Sequence, residues 1–467
     1  MPQDRSPLGE FEIRGEWWLP ENPTNRVPGV LRYKAGDWVR VKLDKFLRDP
    51  WVDTVPGIQE LSLAPRPVQQ LLGISPDGTQ YTVLEGVEVA GKDVLARHLL
   101  VGAHFDRAWD VGFHSAELSL THLEEWTEHS PFPFPIAAIA EGEGKGPRKV
   151  DILYDKKKLL DLEVPSRGCH IEVWSGTEIN FHVARSVTIK HAGLVFVEPL
   201  SPQSFSWFRG FFVDLARLFS FFAGTRVYRT KTVCFTSSPG EGTRQWAVEV
   251  YDQRGVPETT VELHPAQMPL PFTSVHPVAP EVFNRWFSSV GELAPVHQLL
   301  VETLPPSDAG LETVLLRLTQ ALEVFHRRLV RDTYVSQEEW KAYYDEVVKA
   351  LPGTMPTALR DRLRNHIWYA NEYSLRNVLK RLIERLDLPA RQALRIENPV
   401  EFADVTARTR NTLTHRTQPD GPILSTAREY LDANRRLRGI LYCVLAESLG
   451  FQSSAVVRGI QNVLSYM

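Results

Sequence analysis

The chain has 467 residues, of which 43% are hydrophobic and 24% charged, with a formal net charge of −4. This length exceeds one ordinary core, so we expect two or three domains. The slightly negative charge excludes a globally basic nucleic-acid-binding protein, and any RNA site must be a local patch. Three widely separated cysteines exclude a zinc ribbon or a disulfide framework and favour a reducing cytoplasm. They are Cys169, Cys234 and Cys443.

The N-terminus and the most apolar stretch both argue against a membrane protein. The first residues lack the apolar segment of a secretory signal, so we expect a cytoplasmic location. The stretch Phe205–Ala223 contains Arg209, Asp214 and Arg217, and charges are costly inside a bilayer. We predict a core helix ended by Gly224, with a membrane-surface helix as the alternative.

The first two-thirds of the chain has the alternating pattern of β-strands. Over residues 11–265 short apolar alternations are separated by glycines and prolines, which is typical of strands and turns. Gly29–Leu43 predicts a hairpin around residues 35–37. We therefore predict an antiparallel sandwich or barrel-like sheet. Trp17 and Trp18 should point to opposite faces of a strand, so we expect only one of them in the core.

Two segments of this β-rich half imitate catalytic motifs. Gly142–Gly146 is glycine-rich, but it lacks the spacing and the following Ser or Thr of a phosphate-binding loop, so a hairpin tip is favoured. His104 and Asp106 are spaced like metal ligands, but no second ligand cluster accompanies them. We therefore predict no metal site, no cofactor and no nucleotide-dependent enzyme in this half.

The last third has the period of α-helices. Leu311–Arg331 predicts a strongly amphipathic helix whose other face carries Glu323, His326 and Arg327. Glu323 and Arg327, four residues apart, could form a surface pair or join a site. A proline-rich passage precedes these helices. The predicted organisation is a β-rich domain at 1–270, a linker with a connecting helix at 271–305, and an all-α bundle at 306–467, an α+β fold class with two domains.

Capping signals mark further helices in this bundle of six or seven. Ser336–Glu339 and Thr426–Glu429 have the pattern of a capping box. Asn398-Pro399 is an N-cap followed by proline at the first helical position. In the helix after Ser336 the spacing predicts an inward face made of Trp340, Tyr344, Val347 and Val348.

The candidate chemistry lies in Arg410-Asn411-Thr412-Leu413-Thr414-His415. A histidine transfers protons near neutral pH, and a guanidinium fits phosphate oxygens. Attack of a ribose 2′-OH on the adjacent phosphorus needs these two services, with no metal if side chains supply both. By spacing alone, however, the motif equally describes a solvated helix end, where basic residues complement the helix dipole.

Longer segments make the resemblance specific. Residues 15–43, with their double tryptophan and Leu-Pro-x-Asn-Pro, resemble the N-terminal domain of ApeA-type proteins, which are bacterial defence proteins. Residues 318–329, 371–386 and 407–415, in this order, resemble the ApeA-like HEPN domain. The HEPN hallmark is Arg, a polar residue, a short spacer and His. The resemblance implies a metal-independent endoribonuclease that works as a dimer and leaves a 2′,3′-cyclic phosphate.

The motif suggests a role for each of its residues. We assign His415 as general acid or base, Arg410 as phosphate binder and transition-state stabiliser, and Asn411 as a residue that orients His415 or binds phosphate. Arg408 and Arg416 are candidates for binding the RNA backbone.

Glu323, His326 and Arg327 are candidate supporting residues of the same site. On an ideal helix Arg410 and His415 lie roughly 140° apart. Therefore either the helix ends near Thr414 or a second copy completes the site at a two-fold interface.

Two function hypotheses remain open. The first is an endoribonuclease effector of anti-phage defence, acting on single-stranded or looped RNA such as a tRNA loop, with a β-rich half that senses infection or restrains the nuclease. The second is a non-catalytic HEPN protein that only binds RNA or dimerises. The expected partners are an RNA substrate, a second copy of the chain and a phage-derived trigger.

Overall fold

The structure is a computed structural model that describes residues 7–55, 58–61, 63–105, 112–129, 156–182, 186–238, 241–253, 263–305, 309–415 and 418–466. The chain divides into two compact units. The first comprises residues 1–219 and 227–265, and the second comprises residues 220–226 and 266–467.

The first unit is built from antiparallel strands. The strands are β1 (Glu10–Trp18), β2 (Val27–Lys34), β3 (Val39–Leu43), β4 (Trp51–Val55), β5 (Ile58–Leu61), β6 (Arg66–Ile74), β7 (Gln80–Val89), β8 (Asp93–Val101), β9 (Phe113–Leu120), β10 (Lys157–Val164), β11 (Cys169–His182), β12 (Ser186–Pro199), β13 (Arg229–Ser238) and β14 (Glu241–Asp252). Two helices accompany them, α1 (Leu123–Thr127) and α2 (Phe205–Ala223).

Six of these strands close into a barrel. They pair in the order β8-β3-β2-β1-β6-β7, and β7 pairs with β8 again. Closure removes the unpaired sheet edges that invite aggregation. The interior is apolar and includes Trp17, Leu31, Val41, Leu71 and Leu99. The predicted antiparallel, barrel-like β-rich domain is confirmed, as is the predicted hairpin, formed by β2 and β3.

Strand β8 joins the barrel to a second sheet. Along one edge it pairs with β3 through residues 93–96 and with β14 through residues 98–101. From β14 the second sheet continues as β14-β13-β9-β12-β11-β10. The sheet therefore branches at Arg97, a position that is important for the cleft described below.

Helix α2 has the predicted bounds. It ends at Ala223, and Gly224 follows with φ +72°, a conformation that glycine adopts without strain. Phe208, Phe212 and Leu215 on this helix are buried. In the described part of the chain we find no helix that is both long and apolar enough to cross a membrane.

The two adjacent tryptophans differ from the prediction. Trp17 lies in the barrel interior, as expected for one of the pair. Trp18, on the opposite face, is also buried. Its ring contacts His104 edge-on at 5.2 Å, and the guanidinium of Arg26 lies 4.3 Å above it. The alternation along β1 correctly predicted that the two side chains point to opposite faces. Trp18 is buried nevertheless, because His104 and Arg26 cover it on the outer face of the barrel.

The second unit is helical. Its α-helices are α3 (Phe272–Val275), α4 (Ala279–Glu302), α5 (Leu311–Phe325), α6 (Gln337–Lys349), α7 (Thr357–Trp368), α8 (Leu375–Arg385), α9 (Leu388–Ala393), α10 (Pro399–His415), α11 (Ala427–Leu449) and α12 (Ser453–Tyr466). Among the described residues after 268 there are thus ten α-helices, where six or seven were predicted for the last third of the chain. Both predicted capping boxes form, at Ser336 and Thr426, and Gly450 ends α11 with φ +97°.

The predicted inward face of α6 is wrong. No residue of α6 or α7 is buried, and Val347 is exposed. The two helices pack mainly on each other, with Tyr344 edge-on to Trp368 at 5.0 Å. Trp340, Tyr344 and Val348 are half-buried, whereas Val347 is exposed. The apolar spacing could not show that only one neighbouring helix covers this face.

Candidate active site

Helix α10 carries the whole Arg-Asn-x-x-x-His motif. Asn398 caps its start, because the Asn398 side chain accepts a hydrogen bond from the backbone N–H of Glu401 at 3.2 Å. The helix packs against α8 and α5, and its buried residues are Ala403, Thr406, Ala407 and Thr409. The small size of these residues allows close packing. Arg410, Asn411 and His415, in the last two turns of the helix, lie at the surface of the bundle.

Arg410 is held by an acid from a different helix. Its Nη2 lies 3.2 Å from Oε2 of Glu323 on α5, and its Nη1 donates to Oδ1 of Asn411 at 3.0 Å. The Arg410 side chain is 29% exposed and that of Glu323 is 15% exposed. An ion pair this sheltered from water fixes the guanidinium more firmly than a fully exposed pair. Arg410 is therefore positioned while one side remains open to solvent.

Glu323 is shared between two arginines. Its Oε1 lies 3.0 Å from Nη2 of Arg327, whose Nε lies 3.2 Å from Oε2 of Glu372. A chain of alternating charges, Arg410–Glu323–Arg327–Glu372, thus connects α10, the end of α5 and the turn before α8. The sequence did not single out Glu372, because it lies outside any regular helix and no periodic signal marks it.

His415 stands apart from this chain of charges. It is the last residue of α10 and is exposed, and no side-chain hydrogen bond joins it to another residue that the structure describes. One continuous helix contains Arg410, Asn411 and His415, so His415 points roughly 140° away from Arg410 around the axis. Within one copy, side-chain contacts link Arg410, Asn411, Glu323 and Arg327, and among the described residues none of these contacts includes the side chain of His415.

His326 does not lie on the solvent-exposed helix face to which we assigned it from the sequence. It is 2% exposed, and its ring packs edge-on against Tyr373 at 5.8 Å. The helix after Phe325 continues as a π-helical turn over His326–Val330, where the N–H of Arg331 bonds the carbonyl of His326. On a 3.6-residue wheel His326 lies about 40° from Leu322 and about 20° from Leu315, both of which are buried. The helical period itself therefore places His326 on the buried face, and its assignment to the solvent face was wrong.

Burial controls the protonation of His326. It lowers the pKa of the His326 imidazole, the nearby Asp332 opposes this effect, and Arg381, Arg385 and Arg327 reinforce it. Nε2 has no hydrogen-bond partner among the described residues. His326 is therefore a neutral, buried ring beneath the site rather than a group that reaches a substrate.

Two family models match the chain. The ApeA N-terminal domain 1 model matches residues 12–286, which is more than half of the chain. The chain belongs to the ApeA family. Its second unit carries an Apea-like HEPN domain, matched over residues 316–455, and this range contains Glu323, Arg410, Asn411 and His415. The resemblance predicted from the sequence is confirmed. No curated protein and no solved structure matches the chain.

Two arginines, Arg408 and Arg416, flank the motif of this ApeA-family chain. Arg408 lies 3.8 Å from Asp404 and 3.7 Å from Asp420, so its charge is already partly balanced. Asp404 also pairs with Arg376 on α8. Arg416 lies outside the described residues, and its expected contact with the RNA backbone remains a prediction.

Among the described residues of the N-terminal half, one cluster has metal-ligand chemistry that the sequence did not reveal. Asp161, His170 and Glu172 lie together on β10 and β11. The ammonium of Lys158 bonds Asp161 at 2.8 Å and also bonds Glu172, so a cation of the chain already balances the carboxylates. His104 bonds the carbonyl of Gly73. Asp106 and Gly142–Gly146 lie outside the described residues.

Proposed function

We propose that this ApeA-family protein is a metal-independent endoribonuclease that acts as an effector of bacterial anti-phage defence. The observation that carries the proposal is the ion pair between Glu323 and Arg410. It joins two segments of the Apea-like HEPN domain that are 87 residues apart, and it fixes the arginine whose chemistry RNA cleavage needs. HEPN domains as a class are typically ribonucleases, which supports the same reading.

The chemistry follows from the groups available. His415 removes the proton from a ribose 2′-OH, and the 2′-oxygen forms a bond to the adjacent phosphorus. Negative charge grows on the non-bridging oxygens, and the Arg410 guanidinium, which cannot lose its own proton, stabilises it. The bond from phosphorus to the 5′-oxygen breaks, and that oxygen takes up a proton. The products are a 2′,3′-cyclic phosphate and a free 5′-hydroxyl.

The active form in this proposal is a two-fold dimer. Within one copy Arg410 and His415 point in different directions on α10, so one phosphate cannot readily contact both. A two-fold axis beside the end of α10 would bring Arg410 and Asn411 of one copy towards His415 of the other. Water in the cleft would supply the proton for the leaving 5′-oxygen.

Glu323 and Arg327 act as positioning residues in this arrangement. Glu323 accepts a hydrogen bond from Arg410 and forms an ion pair with Arg327, so its carboxylate keeps Arg410 in a defined rotamer before RNA arrives. A phosphate that reaches Arg410 has to compete with Glu323, which favours the more highly charged transition state over the ground-state diester. Differential binding of this kind is what accelerates a reaction.

The substrate in the proposal is unpaired RNA. Only single-stranded or looped nucleotides can be splayed into a cleft at a helix end, so a tRNA loop is a suitable target. Arg408 and Arg416 would contact the backbone beside the scissile phosphate. The β-rich domain, within residues 1–270, would sense the phage-derived trigger or restrain the nuclease until infection.

The test is cleavage of labelled RNA by purified protein in EDTA. Wild type should cut RNA but not DNA and should leave a 2′,3′-cyclic phosphate, and His415→Ala should abolish cutting. His366→Ala is the matched control, since His366 is also an exposed histidine in the last turn of a helix of the same unit. Cutting that survives His415→Ala, or that needs Mg²⁺, would overturn the mechanism.

A non-catalytic HEPN protein that only binds RNA or dimerises is the second candidate. Arg410 and His415 point in different directions within one copy, so a chain that does not form the two-fold dimer would lack a complete catalytic site. This observation favours the second candidate for a monomer. This candidate predicts RNA binding by wild type and by His415→Ala alike, with no cleavage product under any condition. Gel shifts and product sequencing on the same samples distinguish the two.

A further inference from the structure

The β-rich unit contains a cleft that the proposed nuclease does not use. It has a volume of about 630 Å³ and lies between α2 and the strands at the branch of the sheet. Because β8 pairs with β3 only up to residue 96 and with β14 only from residue 98, the sheet edge opens at Arg97. Helix α2 lies over this opening.

Four arginines line the cleft. Arg97 comes from β8, Arg209 and Arg217 from α2, and Arg229 from β13. Gly210 of the same helix also lines the cleft, and it lies seven residues, about two turns, before Arg217. Arginine side chains are planar forks with several donors, and they suit phosphate and carboxylate better than any other side chain.

The acids around these arginines do not balance them. Arg209 pairs with Glu85 at 2.8 Å and Arg217 with Asp214 at 3.4 Å, while Arg229 pairs with Asp252. Arg97 lies 3.8 Å from Glu85, and Arg167 outside the cleft also pairs with Asp214. Among the residues that the structure describes, the four arginines of the cleft thus face three carboxylates, an excess of one positive charge. Positive charge between low-dielectric walls concentrates anions.

A buried histidine in the lining has spare hydrogen-bonding capacity. His98 is 7% exposed, and its Nε2 accepts a hydrogen bond from Nη1 of Arg209 at 3.1 Å. An accepting Nε2 leaves the proton of a neutral ring on Nδ1, and Nδ1 has no partner among the residues described. A buried donor without a partner is unfavourable, and a bound acceptor or an ordered water would satisfy it.

We propose that this cleft binds a small organic phosphate of nucleotide size. The excess charge and the four guanidinium forks select a phosphate group. The volume lies in the range of roughly 300–1,000 Å³ that is usual for small-molecule sites, and a phosphate ion alone would fill little of it. All the lining residues lie in the first unit, within the match to the N-terminal domain. The site is therefore separate from the HEPN motif.

The first test is calorimetric titration of the full chain at low salt. Inorganic pyrophosphate and AMP are the probes, with inorganic phosphate, adenosine and citrate as comparison ligands. Pyrophosphate and AMP should bind, AMP should bind more tightly than inorganic phosphate, and adenosine should not bind measurably. Absence of binding by AMP, or tighter binding of citrate than of AMP, would overturn the proposal.

Charge variants locate the site. Arg97→Gln with Arg217→Gln should weaken AMP binding at least tenfold, and Asp214 keeps Arg167 as its partner in this variant. The matched control is Arg26→Gln with Arg32→Gln, which removes two arginines that pair with glutamates elsewhere in the same unit. Equal loss of affinity in both double variants would contradict a site in the cleft.

A second pair of variants avoids any loss of ion pairs. Gly210 is exposed on α2, and a Cβ placed there meets nothing within 4 Å, so larger residues should be tolerated and should favour the helix. Gly210→Glu places a carboxylate in the cleft and should weaken AMP binding at least tenfold, whereas Gly210→Ala should not. Unchanged affinity in Gly210→Glu would overturn the proposal without affecting the proposed nuclease.

Discussion

Glu323 Oε2 lies 3.2 Å from Nη2 of Arg410, so an acid on α5 fixes the arginine of the candidate site on α10. The same carboxylate holds Arg327 at 3.0 Å. The contact joins two helices of the Apea-like HEPN domain and defines how Arg410 is presented at the surface. It also gives the proposed function its sharpest tests.

Replacing Glu323 should lower cleavage more than it lowers stability. In Glu323→Gln the charge that orients Arg410 is lost, so we expect kcat for RNA cleavage to fall about tenfold, while a partly exposed ion pair contributes only about 1 kcal/mol to stability. Steady-state cleavage and urea unfolding measure the two effects. Glu312→Gln, an exposed acid in the first turn of the same helix, is the control and should change neither. A loss of cleavage that is fully explained by unfolding would contradict a positioning role.

Mixing two inactive variants should restore activity if the site spans two copies. Arg410→Ala keeps His415, and His415→Ala keeps Arg410, so a mixed dimer contains one complete site. After subunit exchange about half of the dimers are mixed, and the mixture should show about a quarter of wild-type activity. Exchange has to be verified with two affinity tags. Verified exchange without recovered cleavage would mean that Arg410 and His415 act within one chain.

The buried His326 should make stability depend on pH. Its pKa is lowered in the folded protein, so below about pH 6.5 the unfolded chain binds more protons than the folded one. Stability from this group is complete above about pH 6.5 and is lost as the pH falls towards the lowered pKa.

A ring that cannot be protonated should remove this contribution. His326→Phe should therefore lose less stability than wild type between pH 7.5 and 5.5, as measured by urea unfolding. His98, His122 and His191 also have lowered pKa values, so only the difference from wild type is informative. His366 is exposed, so His366→Phe should leave the pH dependence of stability unchanged. If both variants change this pH dependence equally, the interpretation is wrong.

The barrel should depend strongly on Trp17. Its side chain is fully buried in the barrel interior, and truncating a buried large aromatic residue typically costs about 3–5 kcal/mol. Trp17→Ala should lower the unfolding free energy of the β-rich unit by about that amount. Trp51→Ala is the control, because Trp51 is half exposed on β4 and its loss should cost about 0.5 kcal/mol or less. Similar losses in both variants would argue against the barrel core.

Local sequence signals predicted the ends and types of many elements. The capping boxes at Ser336 and Thr426, the Asn398 cap, and the glycine after α2 all act through hydrogen bonds or backbone conformations within about four residues. The β2–β3 hairpin is likewise encoded by an alternating pattern around a short turn. Such features do not depend on the rest of the fold, so the sequence alone was sufficient for them.

The motif and the family resemblance were also readable from the sequence. Arg410, Asn411 and His415 were singled out from their chemistry and spacing, and the ordered segments around them indicated the ApeA family and its HEPN domain. The spacing further indicated that Arg410 and His415 point in different directions on a helix. The continuous helix Pro399–His415 has this arrangement.

Only the tertiary structure decided which distant groups meet. The pairing of β8 with β7 closes the barrel. Glu323 pairs with Arg410, which lies 87 residues further along the chain. Arg97 and Arg217 line the same cleft at the branch of the sheet. The ring that packs against His326 belongs to Tyr373, which precedes α8 in the chain. Contacts of this kind follow from how whole elements pack, and packing depends on every neighbouring surface rather than on any short stretch of sequence.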